Sequence, residues 1–266
     1  MVKLVAVDVD GTFVRDDYSW DAARFANIFA RMTAAGCNFV VASGNQYYQL
    51  RDIFKDYGDK ISYVSDNGAY VEARGELIFA ADIPKAAVDL AVNVCREIPE
   101  VKNFMCGVKS AYCERGTVPD DIFNFMRRYM PRMALVDDLK AVDDQVLKFA
   151  LLVPEEKNHA YYEILREKLG GALTPTTSGH GSIDLIIPGV HKASGIARLV
   201  EKFEITPAEC AAFGDSFNDL EMLRYCGESF AMDNASAEIK AAAKNICPSN
   251  NSDGVLVTLD KIFGGD

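Results

Sequence analysis

The sequence is poor in the patterns that build disulfide frameworks and zinc sites. It has seven cysteines, an odd number, and they form no Cys-x-x-Cys pair. Its three histidines are not spaced as a ligand pair. Most of the cysteines lie in apolar segments, which predicts free, buried thiols in a reducing cytosol and disfavours a zinc site.

Basic residues are also few for the number of acidic ones. Lysine and arginine total 28 against 39 aspartate and glutamate residues, and the formal net charge is −11. Nucleic acids and anionic membranes bind basic faces, so neither is expected as a partner. An anionic small molecule could still bind, provided that a metal, a lysine or a helix N-terminus supplies local positive charge.

Long apolar runs and a targeting segment are missing as well. No uninterrupted apolar stretch approaches the roughly 20 residues of a membrane helix, and no basic segment followed by an apolar run opens the sequence. The 266 residues are 49% hydrophobic and 25% charged, which is typical of one large or two modest globular domains. We therefore expect a cytoplasmic protein, and a monomer by default.

Strand-like and helix-like segments alternate at both ends of the chain. A strand at 4–10, a helix around 21–35, a strand at 38–45 and a helix at 46–57 have the order of βαβ units, and the same rhythm resumes after Pro188. This alternation indicates a parallel sheet. We predict an α/β fold with a doubly wound parallel-sheet core comprising residues 1–81 and 189–266.

The middle of the chain, residues 82–188, has a different pattern. Short strands come in adjacent pairs around helix-like segments at 84–98, 119–130 and 157–169. Just before this region, residues 70–81 predict a hairpin that turns at Arg74-Gly75. We predict that residues 82–188 form an α+β domain inserted into the core.

Two acidic residues follow the first predicted strand, in the segment LVAVDVDG. Ligands bind at the carboxyl ends of strands in open α/β sheets, and Asp8 and Asp10 share a side if the strand extends through both. Two carboxylates this close repel unless a cation lies between them. Mg²⁺ suits them because it keeps waters and phosphate oxygens as its other ligands; a solvated turn is the alternative.

A second acidic strand end follows the apolar segment CAAFGD. Asp215 and Asp219 have the spacing of a loop that enters a helix. They would bring a further carboxylate to the edge of the sheet that holds Asp8 and Asp10. The alternative is a helix N-cap, which Asp215 or Ser216 could supply.

A hydroxyl and a lysine complete the candidate site. Ser43 and Gly44 follow the apolar run FVVA, where a hydroxyl and free backbone N–H groups would hold phosphate oxygens. Lys192 begins a predicted helix and would help to keep a nucleophilic aspartate ionised. A carboxylate nucleophile, Mg²⁺, a hydroxyl and a lysine are the parts of phosphoryl transfer through an aspartyl phosphate.

Four segments in this order, DVDGTF, VVASGN, LIIPGVHKASGI and FGDSFNDLEML, resemble the motifs of the haloacid dehalogenase superfamily. The resemblance is to its Cof-type phosphatases, and in particular to bacterial sugar phosphatases, and it covers essentially the whole chain. It implies a haloacid dehalogenase-like core with a cap domain of type C2B. Spacing agrees, because about 30 residues separate Asp10 from Ser43 whereas about 150 separate Ser43 from Lys192, so the cap must lie in the second gap.

The resemblance also implies roles for the aspartates. Asp8 would be the nucleophile and a metal ligand. Asp10 would protonate the leaving alcohol and then activate water, while its backbone carbonyl binds the metal. Asp215 would bind Mg²⁺ directly, and Asp219 would act through water or the lysine. Asp10 argues for hydrolysis, because dehalogenase relatives lack this second aspartate and ion-pumping ATPases have threonine there.

For the remaining motif residues the resemblance implies contacts with the phosphoryl group or support of the site. The phosphoryl group would be held by Ser43, Gly44, Lys192 and Asn218. Gly11 and Thr12 let the chain turn sharply over the site, with Thr12 in a supporting role. Asn45 is a departure, because many relatives carry arginine there; we expect the change to affect substrate contacts and not the core chemistry.

These features predict a Mg²⁺-dependent phosphatase for small-molecule phosphate monoesters, with hexose or pentose phosphates as the favoured substrates. Three alternatives stay open: a phosphatase for a nucleotide, a flavin mononucleotide or a flavin precursor; a phosphomutase; and a non-enzymatic phospho-acceptor switch like response-regulator receiver domains. The candidate specificity residues, each of which could equally serve packing or lie at the surface, are Tyr47, Asn67, Tyr112, Lys148, Ser178 and His180.

Overall fold

The structure, a computed structural model, describes residues 1–179 and 181–264. Its strands are β1 (Leu4–Val7), β2 (Asn38–Ala42), β3 (Ser62–Ser65), β4 (Tyr70–Ala73), β5 (Glu76–Ala80), β6 (Lys102–Gly107), β7 (Ala111–Glu114), β8 (Met133–Val136), β9 (Val146–Leu152), β10 (Thr174–Gly179), β11 (Ser182–Ile186), β12 (Cys210–Gly214), β13 (Glu228–Met232) and β14 (Asn245–Cys247). Its α-helices are α1 (Ala22–Ala34), α2 (Tyr47–Ile53), α3 (Lys85–Arg96), α4 (Asp120–Met126), α5 (Asn158–Leu169), α6 (Lys192–Lys202), α7 (Leu220–Tyr225), α8 (Ala237–Ala242) and α9 (Gly254–Ile262).

Strands from both ends of the chain form the first sheet, in the order β14-β13-β12-β1-β2-β3-β4-β5. Neighbouring strands from β14 through to β3 pair in parallel. Strands β4 and β5 form a hairpin, in which β4 pairs antiparallel with both β3 and β5. The hairpin turns at Arg74 and Gly75, which both have positive φ as a two-residue hairpin loop requires. Strand β1 lies between β12 and β2, so the carboxyl ends of these three strands meet at one edge.

The alternation of side chains along β1 divides the core of this sheet into two faces. Val5 and Val7 pack with buried residues of α1, α2 and α9, whereas Leu4 and Ala6 pack with those of α6, α7 and α8. Strands that are covered on both faces are apolar throughout, and each large apolar side chain buried here contributes roughly 1.5–3 kcal/mol. The predicted α/β class with a doubly wound sheet is confirmed.

A second sheet has the order β10-β11-β9-β6-β7-β8, with all its strands between residues 102 and 186. Its pairs are antiparallel except β7 with β8. Phe149 and Leu151 of β9 pack with α3 and α5 on one face, and Ala150 packs with α4 on the other. Lys148 therefore lies on the α4 face by alternation. The chain passes between the two sheets twice, between β5 and α3 and between β11 and α6.

Two details of the predicted elements are wrong. The first strand ends at Val7 and does not continue to Asp10, because residues 9–13 form a turn that is closed by a hydrogen bond from the Val14 N–H to Val9 O, with Gly11 at φ 73°. Strands β8 and β14 were not predicted, because neither segment alternates apolar and polar residues as a half-buried strand does.

Two other expectations can be compared with the structure. All seven cysteines are buried and unpaired, as predicted. Among the described residues, no helix combines the length and the apolar character needed to cross a membrane.

Candidate active site

A buried lysine joins two aspartates at the carboxyl edge of the first sheet. Lys192 Nζ lies 2.6 Å from Asp8 Oδ1 and 2.7 Å from Asp219 Oδ1. Burial lowers the pKa of Lys192, but the carboxylates of Asp219 and Asp8 outweigh that effect and hold its pKa above the ordinary value. The lysine therefore stays charged. Its position is fixed by helix α6, which begins at Lys192 and is capped by His191 and Ser194.

The turn at residues 9–13, which follows β1, brings the chain against the second acidic strand end. A Cβ atom on Gly11 would lie 2.5 Å from Asp215 Oδ2, and the φ of 73° also favours glycine. The next residue, Thr12, donates a hydrogen bond of 2.8 Å to Asp215 Oδ1. Gly11 and Thr12 therefore hold Asp215 beside the turn.

Asp219 is buried and fully engaged by the protein. Its Oδ2 accepts hydrogen bonds of 3.0 Å from the backbone N–H groups of Asp215 and Ser216, and its Oδ1 faces Lys192. The helix-cap interpretation applies to Ser216, which forms a capping box with Asp219. Asp219 thus fixes the loop that carries Asp215 and holds the lysine.

Three carboxylates form a group that could hold a metal ion: oxygens of Asp8, Asp215 and Asp219 lie within 4.8 Å of one another. Burial raises the pKa of Asp8 well above its ordinary value, and burial with the nearby Asp219 raises that of Asp215 to about 7. Excess buried negative charge of this kind favours a bound cation.

The chemistry of the donors fits Mg²⁺, which prefers a few carboxylate oxygens. Because Asp219 already binds the lysine and two backbone N–H groups, the carboxylates better placed to act as direct ligands are those of Asp8 and Asp215.

Asp10 lies in the turn at residues 9–13 and is held by Asn45, for which we expected only an effect on substrate contacts. Asn45 Nδ2 donates a hydrogen bond of 2.5 Å to Asp10 Oδ2, while Asp10 Oδ1 is buried without a partner among the described residues. Burial raises the pKa of Asp10, and the hydrogen bond from Asn45 opposes this rise. The residue in the position of the family arginine therefore contacts the expected acid and base. Its place two residues after Ser43, at the same sheet edge, is the signal that could have suggested this contact.

The expected phosphate-binding residues lie in two adjoining loops. Ser43 is buried at the end of β2, and its Oγ accepts a hydrogen bond of 3.1 Å from the Asn45 N–H. Asn218 is buried in the loop before α7, and its side-chain amide donates to Asn67 Oδ1 at 3.1 Å. The hydroxyl hydrogen of Ser43 is thus left to donate into the cavity.

A cavity of about 420 Å³ between the two sheets receives most of these side chains. From the first sheet it is lined by Asp8, Asp10, Ser43, Gly44, Asp215 and Asn218, whereas Lys192, Thr12 and Asp219 are not part of that lining. From the second sheet it is lined by Lys148, Asp184 and an apolar wall on and after α4, which comprises Phe125, Met126, Tyr129 and Met130. The sequence reasoning did not single out Asp184 or this wall.

The candidate specificity residues divide into two groups. Lys148 lines the cavity, and Asn67 contacts Asn218 beside it. Tyr47 instead donates to Glu72, and Tyr112 to Asp144, outside the lining of the cavity. His180 and the side chain of Ser178 lie outside the described part of the structure.

Three comparisons place these features among known proteins. Residues 5–259 match the sequence model of the family described as haloacid dehalogenase-like hydrolase. The 5-amino-6-(5-phospho-D-ribitylamino)uracil phosphatase of Escherichia coli is 40% identical over 262 residues, which cover 98% of this chain and 96% of that protein.

Solved structures share the same fold. A protein of Streptococcus mutans superposes with a TM-score of 0.93 at 31% identity and covers 98% of this chain and 99% of its own. A subclass IIB sugar phosphatase of the haloacid dehalogenase superfamily superposes with a TM-score of 0.85 at 21% identity, over 100% of both chains. At 21% identity, the similarity to the sugar phosphatase shows only that the two proteins share a fold.

Proposed function

The chain belongs to the haloacid dehalogenase-like hydrolase family, and on that premise we propose that it is a Cof-type phosphatase. It hydrolyses phosphate monoesters of small molecules with Mg²⁺, through an aspartyl phosphate on Asp8. The observation that carries the proposal is the buried Lys192 between Asp8 and Asp219, with Asp8, Asp10 and Ser43 lining one cavity. In this proposal residues 1–81 and 189–266 act as the catalytic core and residues 82–188 as the cap.

The residues that would hold Mg²⁺ are Asp8 and Asp215 through their carboxylates and Asp10 through its backbone carbonyl. When bound, the ion supplies positive charge that offsets the negative charge of the phosphoryl oxygens and of the carboxylates. Lys192 supplies a fixed positive charge from the protein itself, because it lies against Asp8.

In the first step a carboxylate oxygen of Asp8 attacks phosphorus, and the bond from phosphorus to the ester oxygen breaks. Asp10 gives its proton to that oxygen, so the alcohol leaves neutral. Asn45 holds the carboxyl of Asp10 in place for this transfer. The backbone N–H of Asp8 donates to Phe213 O at 3.1 Å, which fixes the nucleophile at the end of β1.

In the second step water attacks phosphorus of the aspartyl phosphate and gives a proton to Asp10. The bond from phosphorus to Asp8 breaks, inorganic phosphate leaves, and both aspartates return to their starting states. Through both steps the phosphoryl oxygens that do not react are held by the Ser43 hydroxyl, the Gly44 N–H and the Asn218 amide. Such preorganised donors account for much of the rate in phosphoryl transfer.

Sugar phosphates are the first candidate substrates. The cavity combines charged and polar groups of both sheets with room for a small polyol. A phosphorylated ribityl-pyrimidine, a flavin precursor, is the second candidate. The apolar wall formed by Phe125, Met126, Tyr129 and Met130 favours it, because an aromatic ring would pack there. The relative that is 40% identical is a phosphatase for such a compound.

A phosphate-release screen tests the proposal. Sugar phosphates, nucleotides, flavin mononucleotide and the ribitylaminouracil phosphate are each incubated with the protein and Mg²⁺, with and without EDTA. We expect inorganic phosphate from at least one ester, and reversible loss of release in EDTA. Isomerised sugar phosphate without inorganic phosphate would indicate a mutase, and a stable phosphorylated Asp8 without turnover would indicate a switch; either result would overturn the proposal.

The Phe125→Ala variant separates the two substrate candidates. If an aromatic leaving group packs on the wall, kcat/KM falls by about tenfold or more for the ribitylaminouracil phosphate and little for a pentose phosphate. Ile164→Ala, an exposed position on α5, is the matched control and should change neither value. If kcat/KM changed equally for both esters, the apolar wall would no longer support the phosphorylated ribityl-pyrimidine as a substrate.

A further inference from the structure

A buried ion pair of the second sheet reaches across to the phosphate-binding loops of the first. Lys148 of β9 and Asp184 of β11 lie on adjacent strands, with Lys148 Nζ 2.8 Å from Asp184 Oδ2. Their exposed fractions are only 4% and 8%. Ionised groups are costly to bury, and a pair is tolerated only where further hydrogen bonds satisfy it. Those further partners lie on the first sheet.

The lysine binds the peptide group that follows Gly44. Lys148 Nζ donates to Gly44 O at 2.7 Å, and the N–H of the same peptide group, on Asn45, donates to Ser43 Oγ at 3.1 Å. A rotation of this peptide group would break both contacts. Lys148 therefore fixes the peptide so that the Ser43 oxygen is occupied as an acceptor and its hydroxyl hydrogen is free to bind phosphate.

The aspartate acts on the other loop through one intermediate side chain. Asp184 Oδ2 accepts a hydrogen bond of 2.5 Å from Asn67 Nδ2, and Asn67 Oδ1 accepts one of 3.1 Å from Asn218 Nδ2. Because an ionised carboxylate can only accept, this chain determines which way both amides point. The second N–H of the Asn218 amide is then left for a phosphoryl oxygen.

We propose that Lys148 and Asp184 are positioning residues that set the phosphate-binding half of the active site. Lys148 acts through the Gly44–Asn45 peptide on Ser43, and Asp184 acts through Asn67 on Asn218. This inference rests on the proposed function, because it takes Ser43 and Asn218 as phosphate ligands. Since the pair belongs to one sheet and its targets to the other, the phosphate site is complete only while the two sheets are in contact.

The test uses a variant that removes the charges without leaving one buried alone. Lys148→Met by itself leaves the Asp184 carboxylate unpaired and is expected to fold poorly. The double variant Lys148→Met/Asp184→Asn removes both charges of the pair and keeps an acceptor for Asn67, so its folding can be verified by circular dichroism. Lys157→Met, which removes an exposed lysine paired with Glu100 at 2.8 Å, is the control.

Two measurements with Mg²⁺ report on positioning. For the double variant we expect the inhibition constant of inorganic phosphate to rise about tenfold. We also expect kcat/KM to fall by a similar factor, about 10- to 100-fold, for nitrophenyl phosphate and for a ribose phosphate. Lys157→Met should change neither quantity. Two esters with different leaving groups are needed because Lys148 and Asp184 also line the cavity.

A loss confined to the ribose phosphate, with phosphate inhibition unchanged, would mean that the pair contacts the leaving group directly and would overturn the inference. A folded double variant with wild-type inhibition by phosphate and wild-type kcat/KM would also overturn it. Failure of the proposed function is distinguishable, because the wild-type protein would then release no phosphate from any ester; that result would overturn both.

Discussion

The side-chain amide of Asn45 donates a hydrogen bond of 2.5 Å to the carboxylate of Asp10. Asn45 lines the same cavity as Asp10 and the proposed nucleophile Asp8. A neutral amide can orient a carboxyl group that must alternately hold and release a proton. An arginine at the same place would strongly favour the ionised form.

Removal of the Asn45 amide should slow turnover. In Asn45→Ala the carboxyl of Asp10 loses its orienting donor, so we expect kcat to fall by about tenfold with little change in KM for the ester. In Asn45→Asp we expect kcat to fall further, because a second carboxyl group then faces Asp10. Steady-state phosphate release measures both, with Asn93→Ala on the surface of α3 as the control. A wild-type kcat in both variants would contradict this role for Asn45.

Asp66 should make the stability of the protein depend on pH. This carboxyl is 1% exposed, and burial raises its pKa from 3.8 to about 7, an effect that Lys148 opposes and Asp184 reinforces. Because the folded protein then binds this proton more tightly than the unfolded chain does, the contribution of Asp66 to the free energy of unfolding falls as the pH rises from about 4 to about 7.

The Asp66→Asn variant should lack this dependence. The side chain keeps its shape, and asparagine is readily accommodated at the positive φ of this position. The free energy of unfolding of the variant minus that of the wild type should grow by as much as about 4 kcal/mol between these pH values. Urea denaturation at several pH values measures the difference, and the exposed Asp137→Asn serves as the control. A difference that stays constant with pH would refute the prediction.

Mg²⁺ should stabilise the fold through Asp215. Excess carboxylates surround the candidate metal site, so a bound cation relieves their repulsion in the folded state. At a Mg²⁺ concentration of roughly 100 times its Kd we expect a gain of about 2.7 kcal/mol in the free energy of unfolding. Thermal unfolding with Mg²⁺ or EDTA measures this gain without any substrate.

Asp215→Asn should lose most of the gain from Mg²⁺, whereas Asp233→Asn, which removes an exposed partner of Lys240, should keep it. If both variants and the wild type respond equally to Mg²⁺, the ion binds elsewhere on the protein. Equal loss in both variants would instead point to a general effect of charge.

Much of the site could be predicted from the sequence because its residues lie at strand ends. Asp8, Ser43 and Asp215 each follow an apolar run of a parallel sheet, and the order of these runs brings them to one edge. Features set by neighbouring residues, such as the hairpin turn at Arg74 and Gly75, could also be predicted.

Contacts between residues far apart in the chain could not be predicted. Asn45 with Asp10 and Lys148 with Gly44 join different loops or different sheets. Neither spacing nor periodicity encodes which side chains meet there, because the packing of the second sheet on the first decides it. A turn at Gly11 was expected, but the end of the first strand at Val7 was missed for a related reason: Asp215, more than 200 residues away in the chain, lies against Gly11 there.

The covalent intermediate on Asp8 is tested most directly with Asp10→Asn and nitrophenyl phosphate. This ester has a leaving group that needs no proton, so the first step can proceed without Asp10 while the attack of water is slowed. The measurement is mass spectrometry of the protein after mixing with the ester and Mg²⁺, together with the amount of nitrophenolate released. We predict a burst of about one nitrophenolate per protein and one phosphoryl group on the peptide that contains Asp8, with neither in Asp8→Asn/Asp10→Asn. Sustained turnover by Asp8→Asn, or a phosphoryl group on any other residue, would contradict the account.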